Sequence, residues 1–278
     1  MIELFKYQFF INALIAALLT SITCGFIGTY IVSRRIVFIS GGISHASFGG
    51  VGIGYYLGIN PILGAAVFSV VSAIGIEVFA RKAEVRRDSL IGIMWSFGMA
   101  VGMIFISITP GYSANLMTYL FGNILTVTAF DLVLMLALAV LVVCFFFLLF
   151  KEILYVSFDE DYSRTQGIPV SFINFALISL VALTIVINIR VVGIILVMSL
   201  LTIPQATASL ISNNFRHLIF FSIGFGLLSS VSGLFLSYQF NIPSGAAIIF
   251  FSIIIFFIVR TIVALRTRMS LHKQLDKA

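Results

Sequence analysis

Long apolar runs separated by short polar stretches set the pattern of this chain. A helix needs about 20 apolar residues to cross a hydrocarbon core about 30 Å thick. Nine windows reach that length: 9–33, 36–58, 61–80, 90–110, 131–150, 170–189, 191–211, 218–240 and 244–265. Eight of them hold no Asp, Glu, Lys or Arg over their central turns. The third carries Glu77 near its end, four residues before Arg81, where an i,i+4 pair or snorkelling accounts for it. The stretch 111–130 is apolar but interrupted by Asn115, Gly122 and Asn123, and reads as a re-entrant or surface segment. The first window is too long for a signal-peptide core and has no small-residue cleavage pattern, so it is expected to be retained. The pattern predicts an all-α polytopic membrane protein of about eight to nine transmembrane helices. Residues 1–278 form one domain, because no loop is long enough for a folded soluble unit.

Composition closes off the other classes. Of 278 residues, 61% are hydrophobic and 9% charged, with a mean hydropathy of +1.19, whereas soluble domains carry about 25% charged residues. A soluble enzyme is excluded, and 29 Phe exclude a disordered chain. Cys24 and Cys144 lie inside apolar runs and read as small membrane-facing or packing residues, not a disulfide or metal pair. The net charge of +6 matters less than its placement. Arg34, Arg35, Arg81, Lys82, Arg86, Arg87, Lys151, Arg164, Arg216 and the tail from Arg260 all follow odd-numbered windows. Only Lys6 and Arg190 fall on the opposite face. Basic residues favour the cytoplasmic side, so the N-terminus is expected outside and the C-terminus, with a tail at 266–278, inside.

Several chemistries have no residues to carry them. No GxxxxGK[ST] or GxGxxG motif occurs, so no nucleotide is expected on this chain. No HExxH, CxxC or paired carboxylates lie in the spans, and three histidines are too few for a His-rich metal loop. An ion-coupled secondary transporter usually buries several charges, and these spans bury almost none.

The second window, IVFISGGISHASFGGVGIGYYLG, repeats small residues at every fourth position: Gly42, Ala46, Gly50, Gly54 and Gly58. At 3.6 residues per turn they form one stripe, the kind of seam that lets helix backbones approach in lipid. His45 lies beside it, the one histidine of that span and roughly 10 Å inside the cytoplasmic end at 1.5 Å per residue. A polar group at that depth faces a cavity or a partner, and a neutral imidazole is a common metal ligand. His45 therefore reads either as a ligand or gate, or as a hydrogen-bonded core histidine. Ser44, Ser47 and Asn12 are candidates to line the same path, although serines in membrane helices often bond their own backbone. In LLTIPQATASLI, Pro204 removes a backbone donor within a span and Gln205 stands beside it, as a path residue or a satisfied amide at a kink. NIPSGAAI, at 241–248, pairs a rigid turn with a small-residue helix start. The loop at 151–169 carries Asp159, Glu160 and Asp161 ahead of a short helical stretch stopped by Gly167 and Pro169.

Together these residues resemble the metal-type ABC transporter permeases, the zinc/manganese/iron family, over essentially the whole length. The likeness rests on Arg34 to Gly50 with its ISHASFGG core, the acidic loop closing in Gly167, VGIILVMSLLTIPQATA at 192–208, and NIPSGAAI. It implies a permease subunit in a bacterial cytoplasmic membrane that works by alternating access. The cargo would be a divalent transition metal, with zinc or manganese ahead of iron. The partners it implies are a cytoplasmic P-loop ATPase that binds the ATP, an extracytoplasmic metal-binding protein and a second permease copy; nucleic acid is not among them. Asp159, Glu160, Tyr162, Arg164 and Gly167 would then form the segment docking on the ATPase. In that family the second-helix histidine, here His45, is implicated in metal passage, and many members carry an aspartate one turn earlier, where this chain has Gly41. Two rivals are a self-sufficient secondary transporter or channel, and an ABC permease for siderophore- or cobalamin-type cargo. The first predicts an inverted repeat and midplane carboxylates, the second a wider cavity and a longer chain.

Overall fold

The computed structural model describes residues 7–82, 86–110, 122 and 124–275, with the side chains at 81–82 and 269–275 left aside. Twelve α-helices occupy them: α1 (Gln8–Ser33), α2 (Phe38–Leu57), α3 (Pro61–Lys82), α4 (Arg87–Ile108), α5 (Ala129–Leu148), α6 (Phe150–Phe158), α7 (Glu160–Thr165), α8 (Val170–Val192), α9 (Ile194–Leu200), α10 (Ile203–Ser209), α11 (Phe215–Phe240) and α12 (Ser244–Leu275). Seven of the described helices are long and apolar enough to cross a membrane. The eighth expected crossing, α2, has 20 residues, but glycine, serine and histidine dilute its apolarity. Most of the expected segment at 111–130 lies outside the described residues; its end forms a tight turn at Ile124–Thr126.

The window at 191–211 differs most from expectation. It forms two seven-residue helices, α9 and α10, separated by Leu201 and Thr202. Pro204 sits in the first turn of α10, where its missing N–H costs nothing, so the proline starts a helix instead of kinking one. At the far end of this segment Gly193 alone joins α8 to α9, with φ 80° and ψ 163°, a backbone conformation essentially confined to glycine. Gly122 packs directly on the Val192–Gly193 backbone there. From that turn α9 and α10 run back into the bundle, reaching Gly41 of α2 and Gly28 of α1.

Arg34 and Arg87 come together at one end of the bundle. There Arg34 of α1 ion-pairs with Glu160 of α7 and donates to the Val156 carbonyl oxygen at 2.8 Å. Arg87 of α4 meets Glu77 of α3 at 3.0 Å. Glu77 thus finds a partner across the α3–α4 loop, ten residues away in sequence; the side chain of Arg81, its expected partner, is among those left aside. At the opposite end Arg190 pairs with Asp131 at 3.0 Å, and Asp131 also closes a capping box with Thr128. The expected tail is helical as far as it is described, because α12 continues through Leu275.

Candidate functional site

The glycine stripe of α2 serves two neighbours. A methyl group added at Gly50 or Gly54 would strike α3 at Gly64 or Pro61, and one at Gly42 would strike Ile91 of α4. Ala46 touches Gly98 of α4, while Gly49 and Gly52 meet Gly98 and Gly102. Two faces of α2 are therefore in backbone contact, and α4 supplies a GxxxG of its own at 98–102 that the sequence reading passed over. Gly58 stands apart from the seam. It caps α2 in the left-handed conformation at φ 66°, with nothing near the place of a side chain.

With two sides closed, α2 presents His45 along the remaining edge. Its ring lies flat on Trp95 of α4, the centroids 4.1 Å apart and the planes 7° off parallel. His45 is half-buried, and its Nδ1 is buried with no hydrogen-bond partner. One turn earlier, the open side of Gly41 faces Trp95 and Met198 of α9. The Ser44 hydroxyl is fully buried and also without a partner. Ser47 donates to the Ser44 carbonyl oxygen at 2.6 Å, the self-bonding expected of membrane serines. No group of three or more His, Cys, Asp or Glu able to hold a metal occurs among the described residues. One chain therefore offers a cation a single imidazole at this place, not a closed cage.

Gln205 is placed elsewhere. Its amide nitrogen donates to the Cys24 carbonyl oxygen of α1 at 2.7 Å and to the Leu200 carbonyl oxygen at 3.1 Å. Gly28 leaves the room for it. The residue ties both sides of the α9–α10 break to α1. Asn12 is likewise spent, donating to the Val127 carbonyl oxygen at 3.3 Å. A polar contact missed in the sequence joins α1 to α8, where Thr20 donates to Asn188 Oδ1 at 2.8 Å. Its 168-residue separation left no local pattern to find.

The acidic loop divides its residues between two faces. Asp159 caps α7, accepting from the Tyr162 N–H at 2.9 Å. Glu160 turns inward to Arg34 and accepts from Asn174 of α8 at 3.1 Å. Gly167, at φ 73°, ends the helix while Ile168 N–H reaches back to the Ser163 carbonyl oxygen, the left-handed stop that glycine favours. Tyr162 and Arg164 are exposed. Of the five residues expected to dock a partner, those two offer exposed side chains not engaged in the helix itself, Asp159 being exposed but holding the cap; Glu160 secures the helix from beneath.

Seven to nine candidate spans, packed through glycine seams with isolated polar groups between them, define a polytopic membrane permease. The chain belongs to the ABC 3 transport family, which it matches over residues 6–263. It is a permease subunit, and the ATPase of such a transporter is a separate protein. Among its relatives, the Synechocystis membrane protein slr2045 is 45% identical over 90% of this chain and 89% of its own length. The manganese transport system membrane protein MntC of Listeria monocytogenes is 38% identical over 92% of this chain and 91% of its own. Among solved structures, PsaBC from Streptococcus pneumoniae in complex with Fab superimposes with a TM-score of 0.82 at 35% identity, covering 92% of each chain.

Proposed function

We propose that this chain is a single permease domain forming the membrane path of an ATP-driven importer of divalent transition metals, with manganese the first cargo and zinc the alternative. The observation carrying this reading is His45, an imidazole at membrane depth whose Nδ1 is buried and unspent. Manganese as cargo is supported by the transport system to which the Listeria relative belongs. Manganese stands lowest among the common divalent first-row metals in affinity for such a nitrogen ligand, and zinc much higher. A lone imidazole thus holds manganese weakly enough to release it. Two copies of the chain would bring two His45 side chains to one path, and an extracytoplasmic metal-binding protein would deliver the ion. The ATPase would dock on the outward face of α7 at Tyr162 and Arg164, with Asp159, Glu160 and Gly167 shaping that helix. The cluster of basic residues supports placing this end in the bacterial cytoplasm, with the N-terminus outside.

The test is uptake of radiolabelled manganese and zinc into proteoliposomes holding the permease and its ATPase, with binding protein outside and ATP within. The expected result is ATP-dependent uptake that falls roughly 10–100-fold in His45→Ala, the range over which metal sites respond to loss of a supporting group, with assembly and ATPase activity intact. Unchanged uptake would return His45 to a packing role. Uptake by this chain alone, without ATPase or ATP, would remove the ABC mechanism.

A further inference from the structure

A groove of about 350 Å³ opens at the basic end between α6 and the start of α11, lined by Phe150, Lys151, Leu154, Phe158, Asn214 and Arg216 among others. Its floor is aromatic: Phe215 is buried, with its ring centroid 5.9 Å from that of Phe150 and 6.5 Å from that of Phe158. Its charge is entirely cationic. The Arg216 guanidinium lies over the Phe150 ring, 4.8 Å from its centroid, a contact that fixes its position while leaving its donors free. Lys151 stands on the other wall, and no ion pair among the described residues neutralises either cation.

The depth of the groove follows from helix length. With 26 residues, α11 is about 39 Å long, roughly 9 Å more than the hydrocarbon core. The first turn, with Arg216, therefore stands in the headgroup layer. Four residues further in, on the same side of the helix, Phe220 is 70% exposed. Phe147 and Leu148, 84% and 74% exposed, end α5 just before α6 brings Lys151 to the groove. Bare apolar side chains thus adjoin each cation in sequence, suited to lipid tails beside cations at the level of the lipid phosphates. A soluble partner would meet the exposed face of α7 instead.

We propose that this groove binds the headgroup phosphate of an anionic phospholipid in the cytoplasmic leaflet, with Lys151 and Arg216 as its cations. The site requires this end to be cytoplasmic, where anionic lipids give the leaflet its negative surface. Phe158, on its rim, immediately precedes the Asp159 cap of α7, so an occupied groove braces the root of that helix.

Native mass spectrometry of the full chain with phosphatidylglycerol against phosphatidylcholine tests the site. The wild type should prefer phosphatidylglycerol. Each cation near an anionic surface contributes about fivefold, so the double variant K151Q/R216Q should lose roughly 20–30-fold of that preference. K151R/R216K should keep it, and R35Q, which removes an exposed cation outside the groove at the same end, should lose no more than the roughly fivefold of a single surface cation. Soluble glycerol phosphate should not displace the lipid. On the wild-type chain, a photoactivatable phosphatidylglycerol should label peptides 150–158 and 213–216, a readout that needs no variant to fold. Undiminished preference in K151Q/R216Q, labelling elsewhere, or displacement by glycerol phosphate would each overturn the assignment. So would loss of ATPase association by K151Q/R216Q in bilayers of phosphatidylcholine alone, which would make the groove part of the subunit interface.

Discussion

Gln205 and His45 are both polar side chains set in apolar helices, and the fold treats them in opposite ways. Gln205 is buried, and its N–H groups are consumed by Cys24 and Leu200, while its Oε1, like His45 Nδ1, is buried without a hydrogen-bond partner. It satisfies the Leu200 carbonyl left bare where α9 gives way to α10, as expected for polar groups at membrane depth, and ties that break to the Cys24 carbonyl of α1. His45 rests on the most tightly clamped helix of the molecule, yet its Nδ1 meets nothing. The local backbone needs no help from it, since α2 is continuous through this region. A polar group that repairs a break is explained by structure alone. His45 repairs no backbone break, so on the proposed function its free nitrogen is the one left for a ligand.

That contrast can be broken at three points. The largest effect is expected in Gly50→Leu, because even the first carbon of the new side chain strikes the backbone of Gly64. The cost should reach about 3 kcal/mol or more, at the upper end of overpacking penalties. It would appear as a clear drop in thermal midpoint in detergent, and a variant melting within about 1 kcal/mol of wild type would show that the clamp gives way. Gln205→Leu comes next, at about 1–2 kcal/mol, since it strands the Leu200 carbonyl at the break and removes the tie to α1, and membrane hydrogen bonds are worth only modest amounts. His45→Ala should cost least, about 1 kcal/mol or less, the worth of its stack on Trp95. If His45→Ala destabilised the protein more than Gln205→Leu, the distinction between a repairing and a waiting group would collapse.

The glycine seam was legible because helical periodicity writes it at fixed spacing: Gly42, Ala46, Gly50 and Gly54 align whatever surrounds them. The helix boundaries were legible for a similar reason, since hydrocarbon thickness sets the length of each apolar run. Partners across the bundle left no such trace. Asp131 and Arg190 belong to α5 and α8, and the sequence carries no sign that they meet. Glu77 offered Arg81 at helical spacing, while Arg87 arrives by way of a loop. The inward turn of Glu160 was hidden because three consecutive acids look alike until a helix assigns each a direction. The histidine could be located in sequence, but its unspent nitrogen could not, because a missing contact is known only once the neighbours are placed.

The joint under α7 has a mechanical consequence. Glu160 is gripped by Arg34 at the end of α1 and by Asn174 in α8, while the same arginine holds the last turn of α6 through Val156. A six-residue helix pinned at its root in this way has little freedom to swivel by itself. A thrust on its exposed side would pass to two of the long helices, one of which leads through Gly193 to α9, whose Met198 meets Gly41. On the proposed function, the short helix would thus be less a hinge than a handle on the frame around the histidine.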